Sequence, residues 1–144
     1  MINLYKKILV ALDGSEPSKN ALNHAVEHSV KWGADLLVIS VIPRISPLVY
    51  ARVLEEYGKV IKETHQRLLT EARTKINDNH PDLMVETRLE EGRPGDVIVE
   101  VAKEEDVDLI VLGSRGVGGI RGWVLGSTSR YVVETCTKPI LIVK

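Results

Sequence analysis

Four short apolar runs recur along the chain, at Ile8–Leu12, Leu36–Ile42, Leu109–Leu112 and Ile140–Val143. Hydrophobicity that is continuous rather than alternating is typical of parallel strands buried on both faces between layers of helices. A fifth segment, Met84–Leu89, alternates between apolar and polar residues. It predicts an edge strand with one wetter face.

The segments between these strands carry apolar residues at helical spacing. Ser15 is placed to cap a first helix from about Glu16 to Trp32, which ends at Gly33. A longer second helix is predicted from about Leu48 to Asn77. Its inward face is predicted to comprise Val53, Tyr57, Val60, Ile61, Leu68, Ala72 and Ile76.

Two further helices are predicted to begin at Pro94 and at Ser127, the latter ending near Cys136. Strands and helices then alternate, and right-handed crossovers turn such an alternation into a three-layer, doubly wound α/β fold. Periodicity leaves the order of the strands open. A length of 144 residues is close to the commonest size for one domain, so a single domain over residues 1–144 is expected.

The segment after the fourth strand is rich in glycine. Gly113, Gly116 and Gly126 are separated by two and nine residues, and Ser127 and Thr128 follow directly. Glycine lets a backbone approach a ligand closely, and a helix N-terminus offers unpaired N–H groups to a phosphate. The arrangement predicts a nucleotide-phosphate site, although glycine content alone fits a plain loop without a ligand equally well.

Two common phosphate-binding motifs are absent from the chain. No Gly-Lys-Ser/Thr triplet occurs, which excludes a Walker A loop. The first turn after a strand, Asp13–Pro17, lacks the Gly-x-Gly-x-x-Gly fingerprint of dinucleotide-binding folds.

The spacing of these glycines resembles the ATP-binding signature of the universal stress protein family. Four other segments resemble motifs of that family in the expected order: Lys7–Ser15, Glu91–Ile98, Asp106–Gly113 and Lys138–Val143. Only the stretch from about Pro43 to Pro81 is not constrained by these matches to the family's motifs. The chain is therefore identified as a member of this family, in its ATP-binding subgroup.

The resemblance implies a Rossmann-like, five-stranded parallel sheet of order 3-2-1-4-5 with helices on both faces. In that order the chain reverses direction between the first and fourth strands, and ligands bind beyond the carboxyl ends of strands at such a switch point. Asp13, Val41 and Gly113 mark the ends of the first, second and fourth strands. All three are expected to converge on one crevice.

The resemblance also implies that ATP, or else ADP or AMP, occupies this crevice. The backbone of Val41 would pair with the adenine edge. Asp13 would accept a hydrogen bond from the ribose, although an aspartate beside Gly14 and Ser15 also fits a turn or a helix cap. The other positions assigned to nucleotide binding are Ala11, Leu112, Gly113, Arg115, Gly116, Gly126, Ser127 and Thr128. Of these, the glycines and the hydroxyl residues would wrap the phosphates.

Two arginines lie within the glycine-rich segment. Arg115 and Arg121 would add positive charge to a triphosphate, or else are solvated loop residues. Mg²⁺ or Mn²⁺ is expected to accompany the nucleotide, held mainly through phosphate oxygens and water. No protein ligand to a metal is assigned.

Three other polar features are interpreted as structural. His24 and His28 have the spacing of a metal-binding pair, but no third ligand is near in sequence, so surface histidines are expected. Cys136 lacks a recognisable thiol partner, and a small packed side chain is expected there. The acidic run Glu104–Asp106 is interpreted as a solvated helix end.

Composition excludes several classes of function. The net charge of −1 gives no bulk field towards nucleic acid or an anionic membrane. Aromatic residues make up only 4% of the chain, with no Phe, which argues against a stacking platform for single-stranded nucleic acid. No apolar stretch is long enough to cross a bilayer, and no signal peptide is recognised. The single cysteine cannot form an internal disulfide. A cytoplasmic protein is expected.

The expected function is that of an ATP-binding regulatory protein in a stress response, whose occupancy changes its contacts with unknown partners. No Walker B motif, His-x-Gly-His pair or Ser-Gly-Gly-x-Asp-Ser loop occurs, so binding is better supported than turnover, and no catalytic residue is assigned. A slow ATPase or phosphotransferase using the same site is the alternative. A ligand-free dimeric scaffold is less favoured, because the glycine signature is present.

A homodimer is also expected. The run Ile140–Val143 is apolar throughout, yet the implied order places it at the edge of the sheet. A bare hydrophobic edge offers unpaired N–H and C=O groups to another chain, and a second copy of the same strand would pair them. The family resemblance points to the same contact.

Overall fold

The computed structural model describes residues 3–44, 53–116 and 125–144 of the chain. Within these ranges strands and helices alternate without exception. The elements are β1 (Lys7–Ala11), α1 (Glu16–Trp32), β2 (Asp35–Ile42), α2 (Val53–Asn79), β3 (Val85–Glu91), α3 (Pro94–Glu104), β4 (Leu109–Gly113), α4 (Ser127–Thr135) and β5 (Ile140–Val143).

The strands form one parallel sheet of order β3-β2-β1-β4-β5. β1 lies at the centre, where Val10 pairs with Val38 of β2 on one side and Val111 of β4 on the other. The order 3-2-1-4-5 and the edge position of β3 are therefore confirmed.

The uninterrupted hydrophobicity of the central strands has a direct structural reason. Ile8 and Val10 face the layer formed by α1 and α2, whereas Leu9 faces the layer formed by α3 and α4. All three side chains have 0% exposure. Burial of each such side chain stabilises the fold by roughly 1.5–3 kcal/mol. A polar residue on either face of the strand would forfeit that stabilisation, so the sequence does not alternate between apolar and polar residues.

The predicted ends of α1 are confirmed. The Ser15 hydroxyl accepts a hydrogen bond from the N–H of Ser18 at 3.3 Å and so caps the first turn. Gly33 adopts a φ of 64° at the C-terminus, a left-handed conformation that glycine reaches without steric cost.

The predicted inward face of α2 is wrong at two positions in its first half. Tyr57 and Val60 are 58% and 59% exposed, whereas Leu69, which was not predicted, is buried. Among the side chains that the structure describes, the buried residues of the helix lie in its second half, Ala72 and Ile76 among them. Periodicity shows which residues share a helix face, but not how far the helix runs past the layer beneath it. The predicted start at Leu48 lies outside the described residues.

The acidic run at the end of α3 is exposed at Glu104 and Asp106, as predicted, whereas Glu105 is half-buried. Glu105 contacts the Lys7 ammonium at 2.5 Å and the Arg88 guanidinium at 3.1 Å, and Asp106 contacts Lys138 at 2.6 Å. The turn that follows α3 returns the chain to the amino ends of the strands, where these basic residues lie. The hydrogen bond from Lys7, together with its charge, lowers the pKa of Glu105 below its ordinary value.

Candidate functional site

The carboxyl ends of β1 and β4 form the topological switch point of the sheet. The chain leaves β1 for the layer of α1 and α2 and leaves β4 for the layer of α3 and α4. The two connections therefore diverge and leave a crevice between them, which is the usual ligand position in open α/β sheets.

Asp13 lies at this crevice in a tight turn after β1. Its Oδ1 accepts hydrogen bonds from the N–H of Ser15 at 2.9 Å and from the Ser15 hydroxyl at 2.5 Å. Asp13 therefore stabilises the turn after β1, which is one of the two roles considered for it from the sequence. Its other oxygen, Oδ2, lies 3.0 Å from the position that a Cβ on Gly116 would occupy. The carboxylate therefore faces the glycine-rich segment as well as its own turn.

The glycine-rich segment is closed at its neck by backbone hydrogen bonds. The N–H of Gly126 donates to the carbonyl of Ser114 at 2.7 Å, and the N–H of Ser114 donates to Val143 of β5 at 2.7 Å. A Cβ on Gly126 would lie only 3.2 Å from the Cα of Arg115. The neck is therefore tightly packed at Gly126, and a side chain there would require its neighbours to shift by a few tenths of an ångström. Residues 117–124, which include Arg121, lie outside the described residues.

Gly113 is explained by packing. A Cβ at this position would lie 2.7 Å from the carbonyl carbon of Pro17 and 2.8 Å from the nitrogen of Ser18. The first turn of α1 therefore rests directly on the end of β4. Leu112 is 3% exposed, so its backbone alone is available to a ligand, and Ala11 packs beside the same core cluster.

The N-terminus of α4 has no side-chain cap of its own. Gly126 is the N-cap residue, with φ −60° and ψ 158°, and glycine has no side chain to accept the first N–H groups. The Ser129 hydroxyl is directed to the carbonyl of Gly113 at 2.7 Å. Among the described residues, the hydroxyls of Ser127 and Thr128 have no hydrogen-bond partner. A helix end of this kind, at the neck of a glycine loop, presents several donors to an anion.

The backbone of Val41 is directed towards the crevice. The carbonyl of Ile39 accepts from Leu12 on the β1 side, and the carbonyl of Ile42 accepts from Gly92 on the β3 side. Peptide groups alternate along a strand, so the N–H and C=O of Val41 point to the β1 side, where β1 has already ended. In the part of the chain that the structure describes, neither group has a backbone partner.

His65 of α2 is a site residue that sequence reasoning missed. Its Nδ1 lies 2.7 Å from the hydroxyl of Ser40, which in turn donates to the carbonyl of Leu12 at 2.7 Å. Burial lowers the pKa of His65 below its ordinary value, and the negative charge of Asp13 partly opposes that shift. The available sequence signal was Ser40, the lone polar residue within the apolar run Leu36–Ile42.

The remaining candidates lie away from the crevice. His24 is exposed, and His28 packs edge-to-face against Tyr5. Cys136 is a free cysteine, half-buried against the core cluster beneath α3 and α4. No group of three or more metal-binding side chains occurs within the described ranges. None of the helices in those ranges is long and apolar enough to span a membrane.

A second concavity of about 540 Å³ lies between α1 and α2. Its floor is aliphatic, with Leu12, Leu22 and Leu68, and its rim carries both Glu71 and Lys75. Because its rim mixes both signs of charge, this concavity does not select a phosphate.

Comparison with known proteins agrees with the fold. The model of the universal stress protein family matches residues 4–144, so the chain belongs to that family. The universal stress protein YxiE of Bacillus subtilis is 33% identical over 150 residues, which cover 98% of this chain and 100% of that relative.

Two solved structures are also similar to this chain. Universal stress protein UspA from Lactobacillus plantarum superposes with a TM-score of 0.86 at 25% identity, covering 97% of this chain and 98% of that one. The universal stress protein from Archaeoglobus fulgidus in complex with dAMP superposes with a TM-score of 0.68 at 26% identity, covering 98% and 99% of the two chains. That relative binds an adenine nucleotide.

Proposed function

We propose that this protein binds ATP in the crevice at the carboxyl ends of β1, β2 and β4, and acts as a nucleotide-dependent regulatory module in a stress response. The observation that carries the proposal is the N-terminus of α4, where Gly126 leaves the first N–H groups without a cap. A phosphate supplies the acceptors that this helix end lacks and the negative charge that its dipole favours.

The other end of the crevice fits a nucleoside. The N–H and C=O of Val41 form a donor and acceptor pair on the open side of β2, which matches the donor and acceptor on an adenine edge. Asp13 keeps Oδ2 on the side of the glycine segment, within reach of a ribose hydroxyl. The complex of the Archaeoglobus fulgidus relative with dAMP supports an adenine nucleotide as the ligand class.

A divalent cation, Mg²⁺ or Mn²⁺, would accompany the triphosphate. Among the described residues, Asp13 is the carboxylate that lies in this crevice, and its Oδ1 is already held by Ser15. The donors around it are N–H and hydroxyl groups, which suit phosphate rather than metal. The cation would therefore be coordinated mainly by phosphate oxygens and water.

We also propose that two copies associate through β5. This strand pairs with β4 on one side, and within the described residues no strand covers its other side. Ile140, Leu141 and Ile142 are only half-buried in a single chain. A second copy of β5 would pair the open edge and cover these side chains.

The phosphate site is tested by a change of charge at Ser127. Gly126→Asp would mix two effects, because its Cβ would press on the neck of the loop as well as bring a charge. Ser127 is exposed, so Ser127→Asp adds only the charge, and an acidic residue at a helix N-terminus stabilises the helix by about 0.3–1 kcal/mol. The fold should therefore be kept while the phosphate is repelled.

Isothermal titration calorimetry with ATP gives the result. We expect Ser127→Asp to weaken ATP binding at least tenfold, or about 1.4 kcal/mol. Ser127→Asn, of nearly the same size but neutral, is the matched control and should bind within a few-fold of wild type. Equal affinity of folded Ser127→Asp and wild type would remove the phosphate assignment.

A further inference from the structure

His65 is tied by hydrogen bonds to the point at which β1 leaves the sheet. Ser40 is 0% exposed, and its hydroxyl donates its one proton to the carbonyl of Leu12 at 2.7 Å. The same hydroxyl oxygen lies 2.7 Å from Nδ1 of His65, so Nδ1 is the donor in this second bond. The ring therefore carries a proton on Nδ1 whether neutral or charged. Nε2 is the nitrogen that titrates.

The Ser40 hydroxyl donates to the Leu12 carbonyl, which is the acceptor at which the backbone hydrogen-bond ladder between β1 and β2 would otherwise continue. After Leu12 donates to Ile39, the next donor in a parallel ladder would be the N–H of Val41, and its acceptor would be the carbonyl of Leu12. That carbonyl accepts from Ser40 instead. His65 orients this hydroxyl, and is thereby a positioning residue for the free backbone of Val41.

His65 also lies beside the nucleoside carboxylate. The charge of Asp13 acts on the His65 ring and favours its protonated form, although burial of the ring has the larger effect. One turn further along α2, Leu68 lies 3.5 Å from the position that a Cβ on Gly14 would occupy. The helix and the turn after β1 are therefore in contact at this level of the crevice.

The elements around the ring offer few other charges. β2 contributes the neutral Ser40, and α2 itself contributes Lys62 one turn before His65. β3 ends at Glu91, on the strand face that carries Leu89 and packs against the α1 and α2 layer. The first turn of α1 contributes Glu16, which is exposed.

We propose that His65 couples nucleotide binding in this crevice to the proton concentration, such that the neutral ring maintains the binding arrangement and the protonated ring opposes it. This inference rests on the proposed nucleotide site. A proton on Nε2 would add a positive charge that acts on Asp13 and weakens the Asp13 carboxylate as an acceptor for the ribose. Affinity therefore falls as the pH falls through the pKa of His65.

The experiment is a calorimetric titration with ATP at intervals from about pH 8 down to about pH 5, the range in which a histidine changes charge. Wild type is compared with His65→Asn. Asparagine has a side-chain N–H₂ close to the position of Nδ1, so it keeps a donor for Ser40 but does not titrate. Because both proteins meet the same ATP, protonation of the ligand itself cancels in the comparison.

Relative to His65→Asn, wild type is expected to lose affinity by up to about tenfold for each pH unit below the pKa of His65. Parallel profiles, or a wild-type affinity that rises on acidification relative to the variant, would overturn the proton coupling while leaving the nucleotide site intact. Absence of ATP binding by both proteins at about pH 8 would overturn the proposed function and this inference together.

Two further measurements assign the effect to the ring. Glu91→Gln should keep the wild-type pH profile, and loss of the pH dependence in this variant would transfer the coupling to β3. Nitrogen chemical shifts of the imidazole report the tautomer directly. We expect the neutral ring to be protonated on Nδ1, and a neutral ring protonated on Nε2 would contradict the hydrogen-bond chain through Ser40.

Discussion

The N–H of Gly126 lies 2.7 Å from the carbonyl oxygen of Ser114, and this hydrogen bond joins the two ends of the segment between β4 and α4. Ser114 is itself bonded to Val143 of β5. The first turn of α4 is therefore fixed to the sheet through backbone groups, whatever side chains the intervening segment carries. The proposed phosphate site therefore depends on main-chain geometry and on few side chains.

Gly113→Ala should destabilise the protein strongly. The new Cβ would lie 2.7 Å from backbone atoms of Pro17, which a rotamer change cannot relieve. Overpacking of this kind costs about 1–3 kcal/mol, occasionally more. Gly58→Ala is the matched control, because Gly58 lies within α2 with nothing within 4 Å of its Cβ position, and alanine should stabilise that helix by about 1 kcal/mol. The free energy of unfolding in urea measures both. A Gly113→Ala protein as stable as wild type would refute the packing explanation.

Glu105 should contribute a pH dependence to stability. Its pKa is lowered in the fold by the hydrogen bond and charge of Lys7, so its stabilising effect is complete above the ordinary value of 4.5 and is lost as the pH falls through the lowered one. The free energy of unfolding should therefore decline less on acidification in Glu105→Gln than in wild type. Glu134→Gln, at an exposed position on α4, should keep the wild-type slope. Identical slopes for all three proteins would show that the ion pairs of Glu105 are not maintained in solution.

Leu141→Lys should shift a dimer towards monomer. The charge would lie on β5, where the second copy is proposed to pair. Val133→Lys is the control, because Val133 is an exposed apolar residue of α4 outside that strand. Sedimentation equilibrium distinguishes the two variants, with circular dichroism to confirm that each is folded. Wild-type protein that stays monomeric at micromolar concentration would contradict the proposed interface.

ATP hydrolysis should be slow, well below the usual enzyme range of roughly 1–1,000 per second. The crevice offers donors for phosphate, and Asp13, whose Oδ1 is held by Ser15, is proposed to bind the ribose rather than an attacking water. Phosphate release over multiple turnovers tests this, with Ser127→Asp as the reference. Turnover within the enzyme range that Ser127→Asp abolishes would show that the protein is a true ATPase.

Much of the fold could be predicted from the sequence, because local signals and global packing agree. Apolar runs such as Leu36–Ile42 require burial on both faces, and Ser15 and Gly33 have the chemistry of helix ends. The predicted burial of Tyr57 and Val60 was wrong. Both residues fit an apolar helix face, but their burial depends on whether the sheet extends beneath them.

The site was less accessible to sequence reasoning. Gly126 and Ser127 could be proposed from the sequence because a phosphate site at a helix end has a local signature. Val41 is proposed to act through its backbone, so its side chain carries no signal, and it was assigned through the family resemblance. His65 became visible only when tertiary packing brought α2 against Ser40 and Asp13.

The most direct test of the nucleotide site is a proton–nitrogen correlation spectrum of the protein during titration with ATP and, separately, with adenosine. We expect ATP to shift the backbone amide signals of Val41, Ser127 and Thr128, whereas adenosine should shift Val41 and leave the two residues of α4 unchanged. Saturating ATP that leaves all three signals unmoved, while shifting residues such as Glu71 and Lys75 in the concavity between α1 and α2, would contradict the proposed nucleotide site.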